Sequence, residues 1–179
     1  MSSPTSAAQS VVQSVQQRAS SSFRILVVED DPQLRKLYSS VLSVFGFRYV
    51  EYAKSGEEAI EKLSETRLPF DLVILDWHLG GEMDGMDVLY FIRRESRRIY
   101  TPVLISTGMT QLRHVKESRE GGMTDFLAKP FSVDQLGMKI KRMISKPRKF
   151  IKTDFYIGPC RRVRDMDMPV EKERRVNPW

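Results

Sequence analysis

The sequence predicts an α/β fold, a parallel β-sheet covered by helices, and three observations carry the prediction. Apolar runs of about five residues alternate with segments of helical periodicity, in the order βαβαβαβαβα, between Arg24 and Ser145. Several of those runs are apolar at every position, as strands buried on both faces must be. Capping residues and glycines stand where the helices have to start and stop.

Arg24–Val28 (RILVV) is the first strand, and it ends in three acids, Glu29, Asp30 and Asp31. Pro32 has no N–H to leave unsatisfied in a first helical turn, so Asp31 is the natural N-cap rather than part of a metal site. Leu34, Leu37, Tyr38, Val41, Leu42 and Phe45 recur at helical spacing, and Gly46 stops the helix. Phe47–Tyr52 is the second strand. Ser55 and Glu58 form a capping box that opens a helix through Leu63. Leu72–Leu75 runs into Asp76. The loop Trp77–Asp84 contains Gly80 and Gly81, and a helix from Gly85 buries Val88, Leu89 and Ile92. Pro102–Ser106 is the fourth strand, followed by Thr107 and a helix near Thr110–Glu120. Gly121 and Gly122 break that helix, and Met123–Leu127 leads to Lys129 and Pro130. Ser132 and Gln135 form a second capping box, for a helix ending near Ser145.

The chain has 179 residues and a formal net charge of +6. Residues 23–146 carry 19 basic and 18 acidic side chains, whereas residues 147–179 carry nine and five. Most of the excess therefore sits in the C-terminal extension, and the overall charge is no pointer to nucleic acid for the α/β segment. Residues 1–22 are rich in Ser and Gln with Arg18 alone charged, and read as a disordered arm. No apolar run is long enough for a membrane span or a secretory signal. One cysteine, Cys160, excludes an internal disulfide and fits a reducing cytoplasm, the expected location. With two histidines beside it, an ordinary four-ligand zinc site is excluded too.

Ligands of such sheets lie beyond the carboxyl ends of the strands. The residues there are Glu29 and Asp30, Asp76, Thr107 and Lys129. Clustered carboxylates need a cation, and an all-oxygen set favours Mg²⁺ or Mn²⁺. A carboxylate beside such an ion can attack a phosphoryl group, whose spreading charge calls for electrophilic partners. Asp76, on the expected central strand, is the candidate nucleophile, with Glu29 and Asp30 as metal ligands. The Lys129 ammonium and Thr107 hydroxyl would hold phosphoryl oxygens.

The segments ILVVEDDP, VILDW, MDG, VLISTG and LAKPF, in that order over Arg24–Ser145, resemble the receiver domain of bacterial two-component response regulators, the chemotaxis-regulator fold. The resemblance implies a doubly wound, flavodoxin-like sheet of five strands, order 2-1-3-4-5, with five helices. It implies phosphorylation of Asp76 by a histidine kinase or phosphotransfer protein. Mg²⁺ would be held by Glu29, Asp30, Asp76 and the backbone carbonyl of His78. It further implies Thr107 as switch hydroxyl, Phe126 as switch aromatic, Lys129 as phosphate-binding lysine and a cis Lys129–Pro130 bond. The response would reach an unknown target protein through the face of the fourth helix, fifth strand and fifth helix, where a homodimer could also form. The sequence departs from the family pattern at Gly80, where a proline is common, and in a loop one residue longer before Gly85.

Such a protein is a signalling molecule rather than a metabolic enzyme. A hydrolytic phosphatase of similar chemistry is disfavoured because its second acid is replaced by His78. The 147–179 extension is too short for a standard output domain. Phe150, Ile151, Phe155, Tyr156 and Ile157 give it apolar surface to dock, either on its own receiver or on a protein partner, with a turn at Gly158–Pro159. Two alternatives stand beside the regulator: a phosphorelay shuttle, and an effector whose Arg161, Arg162 and Arg164 bind nucleic acid or a nucleotide. Acids interspersed at Asp165, Asp167, Glu171 and Glu173 weigh against the last.

Overall fold

The computed structural model describes residues 22–65, 68–96, 98–108, 112–161 and 174–176. The expected arm over 1–22, the helix start near Thr110 and the arginines Arg162 and Arg164 lie outside those residues, Ser22 apart. Strands β1 (Arg24–Val28), β2 (Tyr49–Ala53), β3 (Leu72–Asp76), β4 (Val103–Gly108) and β5 (Asp125–Lys129) form one sheet. All pairs are parallel, in the order β2-β1-β3-β4-β5. The anticipated doubly wound α/β fold is what the chain adopts.

Strand periodicity explains the layering. In β1, Ile25 and Val27 point to one face, into a cluster with Tyr38, Val41 and Leu42 of α1 (Pro32–Val44) and Leu136 and Ile140 of α5 (Val133–Ser145). Leu26 and Val28 point to the other, toward Ala59 of α2 (Gly56–Glu65), Val88 and Leu89 of α3 (Gly85–Tyr90), and Val115 of α4 (Leu112–Glu120). A π-helical turn, Phe91–Glu95, continues α3. No helix among the described residues is long and apolar enough to cross a membrane.

Two strands, β2 and β5, start two residues later than the sequence reading places them, each for a local reason. Phe47 belongs to the end of α1: its amide donates to the Leu42 carbonyl (3.0 Å) and that of Gly46 to Ser43 (2.9 Å). This is a Schellman termination with Phe47 buried, so β2 begins at Tyr49. Likewise the Met123 amide caps α4 by donating to Ser118 (2.9 Å), which delays β5 to Asp125.

Beyond α5, β6 (Phe150–Lys152) pairs antiparallel with β7 (Ile157–Pro159) and with β8 (Arg174–Val176). The hairpin turns at Thr153–Tyr156, where the Tyr156 amide donates to Thr153 Oγ1 (3.0 Å), so Gly158 and Pro159 lie in a strand and not in the turn. The anchor is Phe150, 1% exposed, with the Arg93 guanidinium 5.1 Å above its ring. Arg93 is itself 2% exposed and donates to the carbonyls of Gly122 (2.9 Å), Ile99 (3.0 Å) and Thr101 (2.8 Å). Gly122 has φ +95°, and a Cβ there would lie 2.2 Å from the Ile157 carbonyl oxygen, so extension and sheet meet backbone to backbone.

Candidate functional site

The strand order places the ends of β1, β3, β4 and β5 side by side, and their polar residues converge. Glu29 extends β1 by donating its amide to Ala53 (3.0 Å), which fixes where its side chain leaves the sheet. Asp31 caps α1 by accepting from the amides of Gln33 (2.7 Å) and Leu34 (3.4 Å), so it is occupied as a cap. Arg35 Nη1 donates to the carbonyls of Glu29 (2.7 Å) and Asp30 (2.8 Å), steadying the acid pair from behind. One carboxylate oxygen from each of Glu29, Asp30 and Asp76 lies within 4.8 Å of the others. Lys129 Nζ stands between two of them, donating to Glu29 Oε2 (2.8 Å) and Asp76 Oδ2 (2.7 Å). Thr107 is buried one register step beyond Ser106, the partner of Asp76 in β4, and pairs with Ala128 beside Lys129.

Glu29 and Asp76 are 1% and 7% exposed, whereas Asp30 is open to solvent. Burial pushes the Glu29 carboxyl up to about 7; the Lys129 hydrogen bond opposes this and the Asp76 charge adds to it. Burial disfavours the Lys129 ammonium, but its bonds to Asp76 and Glu29 outweigh that and leave its pKa above the ordinary lysine value. One acceptor of the cluster is unmet: Glu29 Oε1 is buried and has no hydrogen-bond partner. An orphaned buried carboxylate oxygen, two more acids and no thiolate are a donor set suited to a hard divalent cation.

Comparison with known proteins agrees with this geometry. The family model of the response regulator receiver domain matches residues 25–141. The chain is a response regulator receiver. It is 28% identical to the chemotaxis protein CheY of Pseudomonas aeruginosa over 123 residues, 69% of this chain and 97% of that protein. The structure of Vibrio cholerae CheY4 superposes with a TM-score of 0.60 at 31% identity, covering 67% of this chain and 97% of that one. The receiver domain of a Pseudomonas aeruginosa sensor histidine kinase, solved with magnesium coordinated in its active-site cleft, gives 0.60 at 28%, covering 69% and 98%.

The other residues singled out in the sequence lie as follows. The Lys129–Pro130 peptide is cis. His78 is exposed, with its amide 3.4 Å from Asp76 Oδ1. Phe126 is half-buried beside the α2–α3–α4 layer, with Lys139 Nζ 4.9 Å from its ring centre. Its register partner Ile105 precedes Thr107 by two, so Phe126 and Thr107 share a sheet face. Sequence reasoning missed several supports. Asp84 caps α3 in a reciprocal box with Asp87, a pattern legible as Asp-x-x-Asp before an apolar run. Tyr38 donates to Ser106 Oγ (3.1 Å) in the core and stacks at 5.4 Å on Phe131, just past Lys129–Pro130; a tyrosine in a helical stripe signals neither contact.

Proposed function

We propose that this protein is a phosphorylation-dependent response regulator that accepts a phosphoryl group on Asp76 from a histidine kinase or phosphotransfer protein, in the cytoplasm. Receiver residues 23–146, between an arm at 1–22 and an extension at 147–179, then signal to a protein partner. The observation that carries the reading is Lys129 bridging Glu29 and Asp76 beside the unpartnered Glu29 oxygen. Magnesium, when bound, supplies positive charge to these acids and to phosphoryl oxygens. Glu29, Asp30, Asp76 and the His78 carbonyl are the groups that would hold it.

Asp76 contributes the attacking carboxylate oxygen, which forms a bond to phosphorus as the bond from phosphorus to the donor's imidazole nitrogen breaks. The electron pair leaves on that nitrogen, and the product is an acyl phosphate. Lys129 exchanges one of its carboxylate partners for a phosphoryl oxygen, and the Thr107 hydroxyl meets another. Moving Thr107 frees space on its sheet face, toward which Phe126 turns. The altered face of α4, β5 and α5 is the output.

The test is modification of the full chain, carrying Trp179→Phe, by a small phosphodonor or beryllofluoride with magnesium. Trp77, buried next to Asp76, reports it by fluorescence, and intact mass counts the phosphoryl groups. Wild type should gain one group and Asp76→Ala none. An unmodified wild type, or equal modification of Asp76→Ala, refutes the reading.

A further inference from the structure

The loop from Asp76 to α3 is the part of this site in which the chain is unusual, with Gly80 and Gly81 and an added residue. Such a loop ought to be loose, since glycine lacks the steric limits that restrict other residues. In the structure it is tied. Its ends are joined by the Gly85 amide donating to the Trp77 carbonyl (2.9 Å), and Trp77 and Leu79 are buried. Between those points two carboxylates hold it. Asp30 Oδ2 accepts from the Gly80 amide (3.1 Å), and Glu57 Oε1, in the first turn of α2, accepts from the Met83 amide (3.1 Å). A Cβ on Gly81 would lie 3.0 Å from Glu57 Oε2, so the carboxylate rests against the loop backbone. The Glu57 carboxyl is held below its ordinary pKa by its own amide, the Ser55 hydroxyl and the amides of Met83 and Glu82.

Asp30 serves both the loop and the acidic cluster with one carboxylate. Of the two tethers, Glu57 alone stands outside the cluster. We propose that Glu57 is a positioning residue of the receiver site, its carboxylate fixing the Gly80–Met83 segment so that the His78 carbonyl and Asp30 stay poised for a divalent cation. This rests on the reading of Asp76 and its neighbours as the phosphorylation site. The glycines give the loop its reach, and Glu57 removes the freedom that would otherwise be lost on binding.

The experiment titrates full-length protein carrying Trp179→Phe with magnesium alone, following Trp77 fluorescence, and measures amide hydrogen exchange over residues 79–84 without metal. Glu57→Ala should weaken magnesium binding by about 3–10-fold, the loss of a charge-assisted hydrogen bond, and speed exchange at Glu82 and Met83. Glu57→Gln, which keeps an acceptor oxygen, should fall between Ala and wild type in both readouts. If Gln and Ala weaken binding equally, salt erases the loss and exchange is unchanged, Glu57 acts only as a distant charge and the proposal is wrong. It is equally wrong if wild type responds to magnesium and Glu57→Ala binds it just as well. A wild type without any magnesium response refutes the metal reading itself, and Glu57's role falls with it.

Discussion

Removing the Lys129 ammonium would leave Glu29 and Asp76, 1% and 7% exposed, facing each other across the position it fills. Breaking a buried pair by taking one partner costs about 3–5 kcal/mol, and proton uptake by Glu29, already pushed up to about 7, caps that cost. Lys129→Met should therefore destabilise the metal-free protein by about 1–3 kcal/mol near pH 8 in urea unfolding. Magnesium should restore more stability to the variant than to wild type. Tyr38 gives a second test. Burial raises its phenol pKa; the Ser106 bond lowers it, and the charges of Glu29 and Asp76 raise it further. The unfolded chain ionises this tyrosine near pH ~10, before the folded one does. Its contribution is thus intact below that pH and lost as pH rises above it, by up to about 1.4 kcal/mol per pH unit. Tyr38→Phe should cost about 1 kcal/mol at neutral pH and flatten the alkaline fall, seen by comparing the two proteins in urea from about pH 9 to 11.

Among the elements, Gly85 shows how closely the loop and strand are fitted. A Cβ there would lie 2.3 Å from the Asp76 carbonyl oxygen and 2.9 Å from Trp77 Cα, backbone atoms that cannot yield cheaply. Gly85→Ala should cost about 2–4 kcal/mol in chemical denaturation and weaken magnesium binding, because the shift falls on the backbone of Asp76 and Trp77. The start of α1 was legible in the chain, since Asp31–Pro32 is a local signal that needs no tertiary partner. So were the strand ends Glu29, Asp30, Asp76, Thr107 and Lys129, which polarity marks at the close of apolar runs. The starts of β2 and β5 were not legible, because Phe47 and Met123 are apolar enough for strands and only their amide partners assign them to helix ends. The Glu57 tether was hidden for a similar reason. An acid in a helix's first turn looks fully explained by the helix dipole, and its loop partners stand 26 residues on.

For the whole molecule, the question is what the extension contributes to a domain whose sheet is complete without it. Phe150, 1% exposed, is fully buried, and burial of one such side chain gains about 1.5–3 kcal/mol. Ordering the backbone costs about 1–2 kcal/mol per residue, so a short hairpin survives only while its anchor holds. Arg93 bonds to Gly122, Ile99 and Thr101, all on the receiver, so loss of the extension hydrates its charge without breaking those bonds. Phe150→Ala and truncation after Lys146 should then destabilise the protein by similar amounts, about 1–3 kcal/mol, because removing the anchor releases what it holds. The contacts lie at the π-helical turn after α3, at Tyr100 and at Glu120, Gly122 and Thr124, before β4 and β5 begin, whereas Asp76 and Lys129 are the last residues of β3 and β5 and Glu29 and Asp30 follow β1. Both variants should accordingly keep wild-type modification at Asp76. Urea unfolding gives the stabilities, and intact mass with the phosphodonor gives the modification. A truncation costing far more than Phe150→Ala would place the hold in the Gly122–Ile157 backbone contact instead, and loss of modification in either variant would make the extension part of the phosphorylation unit.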